Sequence, residues 1–255
     1  MTEIPHTREN ALIFFKKFVT EEVRGKKVID LSAGSGYIIN EFHKAGANVD
    51  LYDLFPEQNT YCEVPCKAID LQKPFPIPPS SCDIAILGET IEHLPNQFFF
   101  FQEVSRILKP GGRLILTTPN SSSLRSRFSQ FLMESEHYST PAPNETDAYT
   151  KWPGRDDGYF SKLFISGLLR LRTLAALNGL RIKKVHPSKS SSTSYFLLVF
   201  YPALYFFSRR NYKRQVRNDP ANEAIYREIF SLNTSLDVLT SKHLIVEWES
   251  SSASR

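Results

Sequence analysis

The first half of the chain alternates short continuous apolar runs with stretches in which apolar residues recur every three or four positions. The apolar runs predict strands over 27–31, 48–52, 83–87 and 113–118. The periodic stretches predict helices over 9–23, 37–44 and 98–108. Further along, the pattern predicts a helix over 162–178 and strands over 180–186 and 243–248. Strands separated by helices indicate an α/β fold built on a doubly wound, mostly parallel sheet.

Two segments do not fit this repeating unit and are interpreted as insertions after the fifth and sixth strands. Residues 121–160 are rich in Ser, Pro, Asn and Asp and predict an irregular, substrate-side insertion. Residues 188–217 pass from a serine run to an apolar stretch and then to a basic one. The tail, 250–255, is predicted to be disordered. Because 255 residues suit one sizeable core and are short for two, we expect a single domain over 1–255.

Charge and cysteine content change this picture little. The excess of 31 Lys and Arg over 27 Asp and Glu gives +4, which is compatible with an anionic partner but does not require one. Cys62, Cys66 and Cys82 lack the number and spacing of a disulfide framework or a zinc site, so free thiols in a reducing compartment are favoured. The polar N-terminal sequence has no apolar stretch of the signal-peptide type, and a cytoplasmic protein is predicted.

The turn after the first strand carries the sharpest chemical signal. Between Asp30 and Gly36 the chain offers small residues where a strand must turn into a helix, so a ligand could lie against the backbone. Asp53 stands at the carboxyl end of the second strand, where an acid can accept hydrogen bonds from ribose hydroxyls. Together these features indicate an adenosine-type ligand and leave open whether it is a dinucleotide or S-adenosylmethionine.

Five segments in order resemble the class I S-adenosylmethionine-dependent methyltransferases over residues 26–120. They are VIDLSAGSG, VDLYD, Ile69–Leu71, CDIAILGETIEHL and LKPGGRLILTTPN. The resemblance implies a seven-stranded Rossmann-like sheet with S-adenosylmethionine as cofactor. Ser32 stands where the family usually has its first glycine, and we expect a slight adjustment of the loop. The cofactor-binding residues that the resemblance implies are Asp30, Ser32, Gly34, Ser35, Gly36, Asp53, Leu54, Asp70, Leu71 and Gly88.

Candidate groups for chemistry follow the fourth strand. If the helix has begun by Glu89, then Glu89, Glu92 and His93 share one face. Their spacing resembles the metal-binding motif of small-RNA 2′-O-methyltransferases and of some quinone O-methyltransferases, with His137 as a possible fourth ligand. The alternative is that Glu92 only complements a helix N-terminus and that no metal is bound, which is the favoured interpretation. His93 and His137 are also the candidate general bases, should the acceptor be a hydroxyl.

The acceptor is predicted only by a looser resemblance. The segment TTPNSSSLRSRFSQFL is similar to bacterial methyltransferases of surface-polysaccharide and glycolipid synthesis, which implies a sugar or lipid-linked glycan hydroxyl as acceptor. One alternative is RNA or a quinone with a divalent metal at Glu89, Glu92 and His93. Nucleic acid is disfavoured because the chain has no appended nucleic-acid module. Another alternative is a non-catalytic scaffold of the same fold.

The stretch 195–207 has no charged residue and is followed by Arg209, Arg210, Lys213, Arg214 and Arg217. Thirteen residues are fewer than the roughly 20 that a membrane-spanning helix needs. Pro202 is expected to interrupt the stretch. An apolar, aromatic segment beside cations is typical of an interfacial anchor on anionic lipid, at the inner membrane face. A helix packed on the sheet, with solvated cations beyond it, is the open alternative.

Overall fold

The computed structural model describes residues 23–136, 142–151 and 158–251. The predicted helix over 9–23 lies outside them except for Val23, and so do His137 and the tail after Ser251. The strands are β1 (Lys27–Asp30), β2 (Asn48–Asp53), β3 (Cys66–Ala68), β4 (Cys82–Gly88), β5 (Leu108–Pro119), β6 (Tyr149–Lys151), β7 (Gly158–Phe160), β8 (Leu180–His186) and β9 (His243–Ser250). The α-helices are α1 (Tyr37–Lys44), α2 (Gln97–Ile107), α3 (Leu124–Met133), α4 (Leu168–Leu177), α5 (Ser192–Phe196), α6 (Tyr201–Asn218), α7 (Glu223–Thr234) and α8 (Leu236–Thr240).

Seven of the described strands form one sheet in the order β3-β2-β1-β4-β5-β9-β8. Parallel pairs join β1 to β2, β1 to β4, β2 to β3 and β4 to β5, whereas β8 and β9 are antiparallel. The predicted doubly wound, mostly parallel sheet is confirmed. Its strand order reverses between β1 and β4, and in such sheets ligands bind at this switch point, beyond the carboxyl ends of the strands.

Continuous apolar strands explain why the centre of the sheet is buried on both faces. Val28 and Ile29 of β1, and Ile84 and Ile86 of β4, are almost fully inaccessible to solvent. The helix α1 covers Val28, Ile84 and Ile86 with Ile39 and Phe42, and its limits match the prediction. The strands β5 and β9 extend beyond their predicted limits, so that Ser250, the first residue of the predicted tail, is paired with Leu180.

The predicted insertion over 121–160 is not irregular throughout, and the prediction is wrong there. The helix α3 begins after Ser123, whose hydroxyl accepts a hydrogen bond of 3.2 Å from the amide of Ser126. A serine run that looks like a loop therefore supplies a helix cap. Farther on, β6 and β7 form an antiparallel pair with Tyr149 opposite Phe160.

The predicted helix over 162–178 is also wrong in part. A 3₁₀ turn at Lys162–Phe164 is separated from α4 by residues 165–167, which are not helical. The amide of Leu168, at the start of α4, donates to the hydroxyl of Ser122 at 2.8 Å. This tertiary hydrogen bond helps to define the start of α4 after the break.

The chain divides into two compact units. The first comprises residues up to 118 with 172–186 and 245–255, and contains nearly all of the sheet; the second comprises 119–171 and 187–244. The prediction of a single domain stays a prediction. In the second unit, α5, a 3₁₀ turn at Leu197–Phe200 and α6 follow one another without a gap. Pro202 lies in the first turn of α6, where its missing amide hydrogen costs nothing, so it marks the start of a new α-helix after the 3₁₀ turn.

Two further helices, α7 and α8, occupy the stretch that precedes β9 and were not predicted. The core of the second unit is made by Leu124, Leu197 and Leu239, with Tyr201 and Leu204 packed against them. No helix in the described ranges combines the length and the apolar content that crossing a bilayer requires.

Candidate cofactor site

The turn after β1 is organised by its own acid. Asp30 is the last residue of β1 and only 2% exposed. Its Oδ1 accepts a hydrogen bond of 3.0 Å from the amide of Ser32. The amide of Leu31 donates to the carbonyl of Ile86 on β4, so the chain leaves the sheet only after this point. The buried carboxylate therefore fixes the first step of the turn.

Two glycines then bring the chain into α1. Gly34 and Gly36 have φ angles of 52° and 79°, a left-handed conformation that side chains with a Cβ rarely adopt. The amide of Gly36 donates to the carbonyl of Ala33 at 2.8 Å. A Cβ at Gly36 would also overlap Oδ1 of Asn59. The glycine at 36 is thus required by the fold itself, whatever ligand the turn binds.

Asp53 connects the end of β2 to this turn. Its Oδ2 accepts from the amide of Gly34 and its Oδ1 from the amide of Phe55, both at 2.8 Å. The acid is half-buried, as is Leu54 beside it. Asp53 therefore holds the glycine turn in place, and its carboxylate is a group of the kind that accepts hydrogen bonds from hydroxyl donors.

Asp70 reaches the same edge of the sheet through β3. Ala68 lies opposite Asp53 in the β2–β3 pair, and the amide of Ile69 donates to the Asp53 carbonyl at 2.9 Å. Asp70 accepts a hydrogen bond from the amide of Gln72 at 3.0 Å and pairs with Lys73 at 3.2 Å. The structure thus brings together two acids that are 17 positions apart in sequence. The neighbouring Leu71 is buried.

Ser32, the departure from the expected glycine, joins β1 to β4. The amide of Gly88 donates to the Ser32 hydroxyl oxygen at 2.9 Å. The φ of Ser32 is not among the positive values of the described residues, so the backbone does not require glycine there. A Cβ at Gly88 would meet nothing nearer than Oγ1 of Thr117, at 3.9 Å. The substitution is therefore accommodated without strain and adds a bond across the carboxyl edge.

The candidate metal motif is not arranged as the helical spacing assumed. Glu89 has a φ of 48° and precedes the short 3₁₀ turn at Ile91–His93, so the helix has not begun at Glu89. Glu92 is completely buried, and its Oε2 accepts from the hydroxyl of Thr118 at 3.0 Å. In the part of the chain that the structure describes, no three His, Cys, Asp or Glu side chains come together in a way that could hold a metal ion. The assumption that one helical face carries Glu89, Glu92 and His93 is wrong.

Of the two candidate general bases, His93 lies among the described residues and His137 does not. The amide of His93 donates to the carbonyl of Thr90, and the residue is partly exposed just beyond β4. It therefore lies at the carboxyl end of the strand that neighbours β1. Its role as a base stays a prediction, as does that of His137, which lies outside the described residues.

A segment that the sequence did not identify lies against the glycine turn. The amides of Thr60 and Tyr61 both donate to the carbonyl of Ser35 at 3.0 Å. The rings of Tyr61 and Tyr37 meet edge to face, with centroids 5.2 Å apart. The side-chain amide of Asn59 holds this loop together by donating hydrogen bonds to the carbonyls of Cys62 and Val64. This asparagine was the signal in the sequence from which the segment could have been identified.

The acids of this edge also affect a neighbouring thiol. Burial raises the pKa of Cys66 to about 12, and the charges of Asp53 and Asp30 add to the effect. Burial likewise raises the pKa of Cys82 to about 12. All three cysteines are free, as predicted. Thiols that stay protonated at neutral pH are poor nucleophiles, which argues against Cys66 and Cys82 as nucleophiles of this site.

Known methyltransferases resemble this chain in sequence. A family model described as a methyltransferase domain matches residues 6–163. The chain is 26% identical over 137 residues to a ubiquinone biosynthesis O-methyltransferase of Xanthomonas euvesicatoria, a match that covers 50% of this chain and 56% of the relative. The aligned region thus spans little more than half the length of the curated relatives.

Solved structures resemble the fold over almost the whole chain. An S-adenosylmethionine-dependent methyltransferase from Mesorhizobium loti superposes with a TM-score of 0.54 at 15% identity, covering 95% of this chain and 99% of that one. A second such enzyme, from Archaeoglobus fulgidus, gives 0.55 at 13% identity, with coverages of 95% and 94%. These similarities support the Rossmann-like fold.

Proposed function

The chain belongs to the methyltransferase-domain family, and from this we propose that it transfers the methyl group of S-adenosylmethionine to a hydroxyl oxygen of its acceptor. The observation that carries the proposal is the carboxylate of Asp53 at the end of β2, which holds the amide of Gly34 in the turn after β1, beside the sheet's switch point. The same edge carries Asp70, placed there by the pairing of β2 with β3.

The residues of this edge fit S-adenosylmethionine in the chemistry of their donors and acceptors. A ribose offers hydroxyl donors, which Asp53 can accept, and an adenine offers an amino group, which Asp70 can accept. The left-handed turn through Gly34 and Gly36 keeps side chains away from the backbone where the methionine part would lie. When bound, the cofactor supplies a methyl group on a sulfonium, whose thioether is an excellent leaving group.

The task left to the protein is to hold the acceptor oxygen in line and to take its proton. Positioning of this kind can supply most of the rate acceleration, because a reaction between two molecules becomes effectively unimolecular. A hydroxyl acceptor also needs a proton acceptor, and His93 is the candidate among the described residues because it follows β4. Thr90, whose hydroxyl donates to the Gly88 carbonyl at 2.9 Å, fixes the start of the turn that carries His93.

For the acceptor, we favour a ring hydroxyl of a quinone precursor. The name of the curated relative supports this class, although only about half of each chain is matched. A metal is not part of this proposal, since the described residues do not bring the metal motif together. The sugar or lipid-linked glycan predicted from the sequence is the second candidate, supported by the resemblance of 117–132 to glycan-associated enzymes. The non-catalytic scaffold has lost its main support, because Ser32 fits the turn without strain.

The first experiment is calorimetric titration of the purified chain with S-adenosylmethionine and, separately, with NADH. Micromolar binding of the first alone supports the cofactor assignment, and binding of NADH or of neither contradicts it. A labelled methyl donor is then offered with a polyprenylated catechol, with a lipid-linked sugar and with RNA. Label in the catechol supports the favoured acceptor, whereas label only in the sugar lipid or in RNA overturns that choice and leaves the cofactor assignment intact.

A further inference from the structure

The helical segment from α5 to α6 presents an outward face in two parts. Its apolar part comprises Phe196, Val199, Phe200, Ala203, Phe206 and Phe207, and its cationic part comprises Arg210, Lys213, Arg214 and Arg217. All ten are exposed, with Phe196 at 79% and Phe207 at 66%. They recur every three or four residues, so they lie along one side of the segment. We call this set the bipartite face.

The opposite side of the segment is already used for packing within its own unit. Leu197 is 5% exposed and lies in the core of the second unit. Farther along, the hydroxyl of Tyr201 donates to the Thr234 carbonyl at 3.2 Å, and the Asn233 amide group donates to the Ser208 hydroxyl at 2.8 Å. The ring of Tyr212 stacks on that of Phe230 at 5.5 Å. The bipartite face is therefore not the side by which the segment packs within its own unit.

We propose that the bipartite face docks the protein onto the surface of a lipid bilayer that contains anionic lipids. The apolar part enters the boundary between headgroups and acyl chains, and the cationic part lies over anionic headgroups. Residues 195–207 span about 20 Å as a helix, well short of the roughly 30 Å of hydrocarbon in a bilayer. The proposal is independent of the catalytic assignment and goes beyond it.

The arrangement of charge favours lipid over the other possible occupants. Residues 195–218 contain four Arg and one Lys and neither Asp nor Glu. A second copy paired through the same face offers no carboxylate to the cationic part, which would meet either cations or apolar side chains of its partner. A nucleic acid would find cations under only one part of the face, because the apolar part offers none for its phosphates. A bilayer surface provides both an apolar layer and an anionic layer.

The test uses the full chain and co-sedimentation with vesicles of phosphatidylcholine, alone or mixed with phosphatidylglycerol. We expect the wild type to sediment with the mixed vesicles and to be released by salt. The variant Phe206→Ser with Phe207→Ser should bind at least about tenfold more weakly, because two exposed aromatic side chains can no longer enter the membrane boundary. The matched control replaces two exposed apolar residues of the first unit, Phe98→Ser with Leu177→Ser, and should bind like the wild type.

The cationic part is tested in the same assay. Arg210→Gln with Arg214→Gln should weaken binding to mixed vesicles more than about tenfold, since each cation near an anionic surface contributes about 1 kcal/mol. Its control, Arg181→Gln with Lys184→Gln, removes two exposed cations of β8 and should change little. Similar binding of the wild type to both vesicle compositions would overturn the proposed role of the cations.

Either of two results would overturn the docking surface as a whole: a wild type that sediments with neither vesicle, or a Phe206→Ser/Phe207→Ser variant that binds as well as the wild type. If the wild type binds no vesicle, a concentration-dependent dimer that the same variant abolishes, seen by analytical ultracentrifugation without lipid, would assign the face to a second copy of the chain. Titration of the Phe206→Ser/Phe207→Ser variant with S-adenosylmethionine separates a failure of the docking proposal from a failure of the proposed function. Unchanged binding leaves the proposed function intact, whatever the vesicle assay shows.

Discussion

The hydroxyl oxygen of Ser32 accepts a hydrogen bond of 2.9 Å from the amide of Gly88, and this bond ties the turn after β1 to the end of β4. The same hydroxyl lies 3.4 Å from the Gly88 carbonyl, at the limit of a hydrogen bond. These two strands flank the switch point of the sheet, so one side chain holds both sides of the crevice. A glycine at 32 would leave that connection to the backbone alone.

Ser32→Ala should lower the free energy of unfolding by about 1 kcal/mol, because the amide of Gly88 loses a partly buried acceptor. It should also weaken S-adenosylmethionine binding several-fold by loosening the turn. Urea unfolding and calorimetry measure the two effects. Ser231→Ala, an exposed serine on α7, is the control. An Ser32→Ala variant with unchanged stability and unchanged affinity would show that the bond contributes nothing.

Asp53→Asn should weaken S-adenosylmethionine binding about tenfold or more, since a charged acceptor is lost for ribose and an amide replaces the partner of Gly34. Calorimetric titration measures the change. The control is Asp50→Asn in the same strand, which removes a carboxylate paired at 2.6 Å with Lys27, outside the glycine turn. Equal losses in the two variants would argue that the effect is one of general charge and not of ribose recognition.

The core of the sheet could be predicted from sequence because its signals are local. The run Lys27–Asp30 is a buried strand in its own right, and α1 ends where Gly46 requires a φ of 87°. Asp70 was assigned to the cofactor site through the family resemblance alone, because no strand was predicted at Cys66–Ala68. The contacts of each side chain could not be predicted from the sequence. Nothing in the sequence shows, for example, that Asp53 holds the amide of Gly34.

The sequence predictions were wrong where tertiary contacts override the local pattern of apolar and polar residues. Glu89 has the spacing of a helical ligand, yet its amide bonds to the Thr117 carbonyl of the neighbouring strand and its φ is 48°. Half of the residues of α7 are apolar, yet none of them is buried, and Ile225 is 41% exposed. It is held by distant partners, such as Tyr212 against Phe230, which a linear pattern cannot reveal.

Thiol chemistry provides a test of the electrostatics at the cofactor edge. In a chain that retains only Cys66, labelling by a disulfide reagent at neutral pH should be far slower than after unfolding, because burial and the charges of Asp53 and Asp30 raise its pKa to about 12. Adding Asp53→Asn should speed native labelling, since one of the two charges is removed. Rapid labelling of Cys66 in the folded protein would contradict the raised pKa.

Acid stability should depend on Glu103. Hydrogen bonds from the Arg106 guanidinium, at 2.7 and 2.8 Å, hold the pKa of Glu103 below its ordinary value of 4.5. The Phe75 amide also lowers this pKa, and burial opposes both. A carboxyl with a lowered folded-state pKa stabilises the protein above its unfolded pKa, and this stabilisation is lost as pH falls through the folded pKa.

Glu103→Gln should therefore lower the free energy of unfolding by about 2 kcal/mol at neutral pH. The difference from the wild type should shrink as the pH falls below about 4.5, where the carboxyl takes up its proton in the unfolded chain, and should vanish below the lower pKa of the folded state. Urea unfolding over a pH series measures both quantities. Glu41→Gln, which disrupts the 3.5 Å ion pair with Lys44, should cost less than about 0.5 kcal/mol. A difference that stays constant from neutral to acid pH would contradict the role given to the Glu103 charge.

Glu92 should behave as a structural residue. It is completely buried and accepts a hydrogen bond from Thr118, so Glu92→Ala should lower the free energy of unfolding by roughly 2 kcal/mol or more. Thr118→Val should cost less, and the double variant should lose less than the sum, because the two residues share one interaction. Magnesium or manganese should leave the wild-type unfolding temperature unchanged. A metal-dependent rise that Glu92→Ala abolishes would instead identify Glu92 as a ligand and restore the metal-dependent alternative.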